Sequence, residues 1–292
     1  MPAHEGDTAT GGGATLLCAQ HVRALASRLD IRPTKAWGQN FVIDANTVRR
    51  IVRTAQIQPA DHVLEVGPGL GSLTLGLLPV AASVTALEID ERLADALPAT
   101  VTEHAPQHAE RLRVLHTDAL RMDSVVDPQP DILVANLPYN VAVPVVLHLL
   151  AHLPTLRRVL VMVQLEVAQR LAAAPGSKVY GVPSAKAAWY ADVSLAGKVG
   201  RNVFWPAPNV DSGLVAIVCR DPPTTQVSRE DVFAVVDAAF AKRRKTLRGA
   251  LADWAGGPEA AEIALRQAGV DPTLRGERLD ITDFARIAAC RP

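Results

Sequence analysis

Apolar and polar positions alternate along this chain in blocks whose period changes. Residues 16–29 carry apolar positions at helical spacing and read as a short amphipathic helix. A second such stretch covers 45–56, with Val48, Ile51 and Val52 among its apolar positions and Asp44 placed to cap it. From residue 62 short apolar runs take over. Segments 62–66, 83–88, 112–116, 131–135 and 159–163 read as five buried strands. Helices are predicted between them, over 72–79 and 90–103. Strands alternating with helices imply an α/β fold with a mostly parallel sheet and helices on both faces.

The alternation breaks over 189–218. Residues 210–218 predict late strands, antiparallel at one side of the sheet. Asp221-Pro222-Pro223 reads as a linker. Ser228 then caps a helix with Phe233, Val236 and Phe240 on one face. The remainder reads as short helices punctuated by Gly256-Gly257-Pro258 and Asp271-Pro272. The expected organisation is a tail and short helix over 1–30, an α/β unit over 31–220, and a small helical unit over 225–292.

Composition narrows the classes. The 292 residues are 49% hydrophobic, enough for one large core and a smaller one. Net charge is zero, yet residues 60–135 hold twelve acidic residues and four arginines, so the rest of the chain carries the compensating positive charge. Cys18, Cys219 and Cys290 are scattered, which fits neither a disulfide framework nor a zinc site. No metal is expected. No apolar run is long enough for a membrane span, and residues 1–15 lack a signal-peptide pattern. A cytoplasmic protein with a disordered N-terminal tail is the expectation.

In sheets of this kind ligands bind at the carboxyl ends of the strands. Gly67, Gly69 and Gly71 follow the first strand of the series and let the backbone turn tightly beside a ligand. Glu88 ends the second and can accept from ribose hydroxyls. Asp118 follows the third and can accept from an adenine amino group. A Gly-rich loop followed by such an acidic residue also describes dinucleotide enzymes, so this pattern alone leaves two readings open. Ser72 and Glu65 tilt the choice. The strict dinucleotide pattern wants a small apolar residue or glycine at position 72, and a carboxylate at 65 would repel a pyrophosphate. A sulfonium cofactor with its amino group tolerates both. The plainer reading of Glu65 is a surface residue or a helix-dipole partner.

Asn136-Leu137-Pro138-Tyr139 ends the fourth strand. An adenine amino nitrogen is a poor nucleophile because its lone pair is delocalised into the ring. Acceptors off the ring plane, here the side-chain oxygen of Asn136 and the carbonyl of Leu137, favour the tetrahedral geometry that methylation needs. Pro138 stiffens the turn. Tyr139 offers a face on which a flipped base can stack. Transfer in line needs no strong general base, and positioning and electrostatics carry the rate.

The chain resembles the KsgA/RsmA family of small-subunit rRNA adenine dimethyltransferases. The resemblance rests on Gly38-Gln39-Asn40-Phe41, Val63 through Gly71, Ala86 through Asp90, and Asn136 through Asn140. Further on it rests on Glu166 through Arg170, Pro175 through Lys178 with Tyr180-Gly181, Phe204 through Ser212, and Arg243 through Arg248. It implies a Rossmann-like S-adenosylmethionine-dependent methyltransferase sheet with a small C-terminal α-helical domain. It implies cofactor contacts from Asn40, Val42, Gly67, Glu88, Asp118 and Asn136, and Gln39, Gly69, Ile89 and Ala119 are expected to complete that set. Tyr139 and Phe204 match the family's base-stacking aromatics. The implied reaction dimethylates two adjacent adenines in the 3′-terminal hairpin of 16S rRNA in a 30S particle, using S-adenosylmethionine, and its loss in bacteria accompanies kasugamycin resistance. A monomer is expected. Leu165, Ala188 and Val141-Ala142-Val143 depart from the family pattern.

Lys242, Arg243, Arg244, Lys245 and Arg248 form a basic cluster near a helix end, expected to grip rRNA backbone together with Lys178 and Arg170. Favourable interaction with a helix dipole is the plainer explanation. Trp189 and Tyr190 read as core residues. Trp37 is expected to cover the cofactor or to pack. His62, His116 and His148 read as ordinary buried or edge histidines. Two rival functions remain. One is Erm-type methylation of 23S rRNA, which the Phe204–Ser212 stretch and the Arg243–Arg248 segment disfavour. The other is a non-catalytic ribosome-assembly factor, which the intact Glu88, Asp118 and Asn136–Tyr139 disfavour.

Overall fold

The computed structural model of the protein describes residues 14–32, 39–122 and 126–291. Expectations for the N-terminal tail before residue 14 and for Trp37 lie outside the described residues. Among the described residues nine strands are formed: β1 (Phe41–Val42), β2 (His62–Val66), β3 (Ser83–Glu88), β4 (Leu112–His116), β5 (Ile132–Asn136), β6 (Arg158–Gln164), β7 (Ala191–Val199), β8 (Phe204–Trp205) and β9 (Ser212–Cys219). Seven make one sheet in the order β4-β3-β2-β5-β6-β9-β7. β2 to β6 run parallel, and β9 lies antiparallel between β6 and β7. The antiparallel late strands expected from residues 210–218 are therefore present.

Twelve α-helices form among the described residues. The first seven are α1 (Ala19–Arg28), α2 (Ala45–Ala55), α3 (Thr74–Leu77), α4 (Glu91–His104), α5 (Ala142–His152), α6 (Leu165–Leu171) and α7 (Val182–Tyr190). The last five are α8 (Arg229–Ala241), α9 (Leu247–Ala250), α10 (Ala252–Ala255), α11 (Pro258–Gln267) and α12 (Ile281–Ala289). Asp44 caps α2 by accepting from the Thr47 N–H at 2.7 Å, a contact worth about 0.5–2 kcal/mol. Ser228 caps α8 through the Asp231 N–H at 3.1 Å. α3 is shorter than the helix predicted over 72–79. Gly71 enters it at φ +91°, and Pro79 cannot donate the next backbone hydrogen bond.

The central strands are buried on both faces, which is why they read as continuous apolar runs. Successive side chains point to opposite sides. Ile132, Val134, Leu160 and Met162 join a core that includes residues of α1, α2 and α4. Leu133, Ala135, Val161 and Val163 join another that includes α5, α6 and α7. A third core unites α8, α9, α11 and α12, and it draws in Tyr180, Ala185 and Trp189 from before and within α7. Trp189 is buried there against Phe233 as expected, whereas Tyr190 is half-buried and bonded to Arg229. His62 and His148 are half-buried and held by Ser83 and by the Met122 carbonyl, and His116 is exposed on the edge strand β4.

The chain runs outward from β2 through β3 to β4, then returns to the other side of β2 as β5. The sheet order reverses at the β2–β5 boundary. A crevice opens at the carboxyl ends of those two strands, and this is where such folds place ligands.

Candidate active site

A cavity of about 220 Å³ fills the crevice. Its lining comes from the stretch into β1, the end of β2 and the loop after it, the segments at the ends of β3, β4 and β5, and single residues of α4 and α5. Gly69 sits in the loop at φ +56°, and a Cβ there would come within 2.8 Å of the Phe41 ring. The loop can pack this closely on β1 only because it carries glycine. The Ser72 hydroxyl reinforces the contact by donating to the Val42 carbonyl at 2.7 Å.

Glu88 is 5% exposed and ends β3. Its carboxylate accepts from the backbone N–H groups of Gly69 at 3.1 Å, Ile89 at 2.9 Å and Asp90 at 3.0 Å. Burial raises its pKa, and these donors oppose the rise. The side chain is thus fixed at the cavity edge before any ligand arrives. Asp118 accepts from the Leu120 N–H at 2.9 Å with one oxygen, and the other takes no donor among the described residues. Asn136 donates through Nδ2 to the Asn40 carbonyl at 2.9 Å, and no described residue donates to its Oδ1. Tyr139 is half-buried, its hydroxyl 2.9 Å from Ser212 Oγ, and burial raises its pKa.

Glu65 lies at the back of the cavity and is 1% exposed. Among the described residues its carboxyl group accepts only from the Thr74 hydroxyl, at 2.6 Å. Burial, with Glu88 nearby, pushes its pKa up to about 8. It is neither a surface group nor a helix-dipole partner. Sequence reasoning placed it near the cofactor but did not foresee this burial.

Of the residues expected at the cofactor, Gln39, Asn40, Val42, Gly67, Gly69, Glu88, Ile89, Asp118, Ala119 and Asn136 line this cavity, and Gly71 does not. Leu137, Pro138 and Tyr139 also line it. Phe204 does not. It is 3% exposed, paired with Val42 across the β1–β8 ribbon, and packed into the core. The face expected to stack on a base is therefore covered, because β8 turns that side chain inward. Phe41, Leu87, Leu93, Thr117 and Leu120 also line the cavity and were not assigned to it from the sequence. Phe41 and Leu87 lie within the motifs quoted above, whereas Leu93 reaches it from α4 and Thr117 and Leu120 from the segment after β4. The Val141 departure lines it too.

The basic cluster sits at a helix end, as expected, with Lys242 as the C-cap of α8. α8 stops at Ala241, and Lys242 to Lys245 form the turn after it. Lys242 pairs with Asp253 at 2.7 Å, Arg243 with Glu277 at 3.2 Å, and Arg248 with Glu262 at 2.9 Å. Arg243 also donates to the Lys178 carbonyl at 2.7 Å. Arg244 and Lys245 are exposed and pair with no described carboxylate. Arg170 pairs with Glu166 at 2.8 Å. Among the described residues no His, Cys, Asp and Glu cluster could hold a metal, and no helix is long and apolar enough to cross a membrane.

The glycine loop, the buried carboxylate of Glu88 and the Asn-Leu-Pro-Tyr turn meet around one crevice. The family model for ribosomal RNA adenine dimethylase matches residues 32–290. The chain belongs to the ribosomal RNA adenine dimethylase family. Relatives of this dimethylase include ribosomal RNA small subunit methyltransferase A of Thermobifida fusca, 69% identical over 96% of this chain and 97% of that one. The protein of the same name from Streptomyces coelicolor is 65% identical over 94% and 96%. Among solved structures, a dimethyladenosine transferase from Plasmodium falciparum shares the fold at TM-score 0.71, with 24% identity over 85% of this chain and 95% of that one. The 23S rRNA methyltransferase ErmE matches at TM-score 0.63, with 26% identity over 86% and 99%. The chain is an rRNA methyltransferase with the Rossmann-like α/β sheet and helical C-terminal region expected of it.

Proposed function

We propose that this dimethylase modifies the N6 amino groups of two adjacent adenines in the 3′-terminal hairpin of 16S rRNA within the 30S particle, with S-adenosylmethionine as methyl donor. The observation that carries the chemistry is the shared cavity. Asn136 and Leu137 supply acceptors to it, and Glu88 and Asp118 supply carboxylates. Small-subunit specificity is supported by the 60–69% identity to proteins named for the small subunit, against 26% to ErmE.

The residues present fit the cofactor. Glu88 is pre-oriented to accept from vicinal hydroxyls, and the spare Asp118 oxygen suits an amino group. At Gly67 a Cβ would meet nothing closer than the Asn136 carbonyl at 4.0 Å, so the bare backbone borders open space. Gln39, Asn40, Val42, Gly69, Ile89 and Ala119 would enclose the rest. When bound, S-adenosylmethionine supplies an electrophilic methyl group on a sulfonium.

Asn136 Oδ1 and the Leu137 carbonyl accept from the adenine amino group off the ring plane. That makes the nitrogen pyramidal and aims its lone pair at the donor. The Asn40 carbonyl fixes the Asn136 amide so that Oδ1 is the atom presented. Tyr139 holds the flipped ring face, steadied by Ser212. Rate then comes from orientation and preorganised charge.

We assign the α/β unit to residues 31–220 and the helical unit to 225–292. The protein would act as a monomer in the cytoplasm. Arg244 and Lys245 are the cations best placed to meet rRNA phosphate. The proposal is tested by methyl uptake from labelled S-adenosylmethionine. Label should enter immature 30S particles and not protein-free 23S rRNA. The reverse preference would overturn it.

A further inference from the structure

The carboxyl end of the sheet holds a second cavity beside the first. It is an open hollow of about 490 Å³ between the start of α6 and the segment leading into β9. Ser212 follows Asp211 in the chain and holds the Tyr139 hydroxyl at 2.9 Å. The Leu165 N–H donates to the Asp211 carbonyl at 3.0 Å. Tyr139 lines the first cavity and Asp211 the second, with buried Ser212 between them.

The chemistry of this hollow is specific. Leu165 and Val210 give it apolar surface, and Val210 is 46% exposed with nothing covering it. The Gln169 amide makes no hydrogen bond among the described residues and offers a donor and an acceptor. The Asp211 carboxylate accepts from Lys198 Nζ at 2.7 Å and from the Arg201 N–H at 3.3 Å, and these contacts keep it charged. The Arg201 guanidinium stands exposed at the rim. Apolar surface suits a ring face. A paired donor and acceptor with a nearby carboxylate suit a base edge carrying an exocyclic amino group. A rim guanidinium suits a phosphate.

We propose that this hollow is a subsite for the base of the nucleotide flanking the target adenine, and that it takes adenine. The assignment rests on the methyltransferase reading above. Flipping the target out of its stack leaves the neighbouring base unstacked, and the hollow lies one residue beyond the platform that receives the target. Leu165, one of the departures from the family pattern, thereby becomes a specificity residue of this chain. Uracil puts a carbonyl oxygen where adenine puts its amino group, and would set that oxygen against the Asp211 carboxylate.

The test uses undermethylated 30S particles whose 16S rRNA carries adenine or uracil beside the target. KM and kcat for the particle are measured with wild-type protein and with a Gln169→Ala, Val210→Ser double variant. Affinity for S-adenosylmethionine is measured in parallel by calorimetry. Wild type should show a KM about tenfold higher for the uracil particle, in the range expected for loss of a stacked, paired base. The double variant should raise the adenine-particle KM to the same level. It should leave kcat and cofactor affinity within about twofold. A wild type without preference, or a variant that keeps it, overturns the subsite while leaving the methyltransferase reading intact. Wild type that methylates neither particle overturns both.

Discussion

The side-chain amide of Asn136 is tied to the backbone carbonyl of Asn40 at 2.9 Å, 96 residues earlier in the chain. One bond therefore joins the end of β5 to the stretch entering β1 and decides which amide atom faces the cavity. Asn136→Ala removes both the tie and the Oδ1 acceptor. It should lower kcat by at least about 100-fold, the usual scale for losing one preorganised transition-state contact. Circular dichroism should be unchanged. Single-turnover methylation checks this, and a kcat within tenfold of wild type would contradict it.

Glu65 links stability to pH. Its ordinary pKa of 4.5 is raised to about 8 by burial in the fold. Between those values the folded protein holds a proton that the unfolded chain has released. Stability contributed by this group is therefore complete below about pH 4.5 and falls as pH rises through the window. The slope is on the order of 1.4 kcal/mol per pH unit, an upper figure for one group. Glu65→Gln stays neutral throughout. Its urea midpoint should exceed that of wild type at pH 8 and approach it at pH 5. Equal differences at both values would show that Glu65 does not titrate in this way.

Gly69→Ala should damage the cofactor site more than the fold. Its φ of +56° costs an L-residue about 1–2 kcal/mol, and the new Cβ would lie 2.8 Å from the Phe41 ring. Either the loop or β1 must shift, and both line the cavity. S-adenosylmethionine affinity measured by calorimetry should fall at least tenfold. Unchanged affinity would mean that the loop is not closely packed on β1 in solution.

The turn after α8 separates paired from unpaired cations. Lys242, Arg243 and Arg248 already satisfy carboxylates of the helical unit. Removing Arg244 and Lys245 together should weaken 30S binding and flatten its dependence on salt concentration. Lys242→Ala with Arg248→Ala should do so less. A larger effect from the second pair would reassign the RNA contact.

What was legible in the sequence follows from what is local. The inner parallel strands were read because double-sided burial makes them continuous apolar runs, as in β2 and β5, and the partly buried edge strand β4 was read from its three apolar positions. Asp44 and Ser228 were read as caps because capping spans only three residues. The cavity-lining set was legible because strand ends in such sheets converge. Contacts made across long separations were not. Nothing near Phe204 announces that β8 pairs with β1 and turns its ring inward. Nothing near Tyr139 points to Ser212, 73 residues away. The carboxylates that pair the basic turn come from three later segments, so a count of cations overstated the free charge. Glu65 was visible as a carboxylate beside the loop, but its burial depends on Thr74 and the packed helices around it.

The central claim is N6,N6-dimethylation of adjacent adenines in small-subunit rRNA, and mass spectrometry of the RNA tests it most directly. Undermethylated 30S particles are incubated with the protein and S-adenosylmethionine, and fragments from the 3′ end of 16S rRNA are sequenced by mass. The account predicts dimethyladenine at two neighbouring positions with wild-type protein and none with Glu88→Ala. Unmodified adenines with wild type, or full modification with Glu88→Ala, would contradict it.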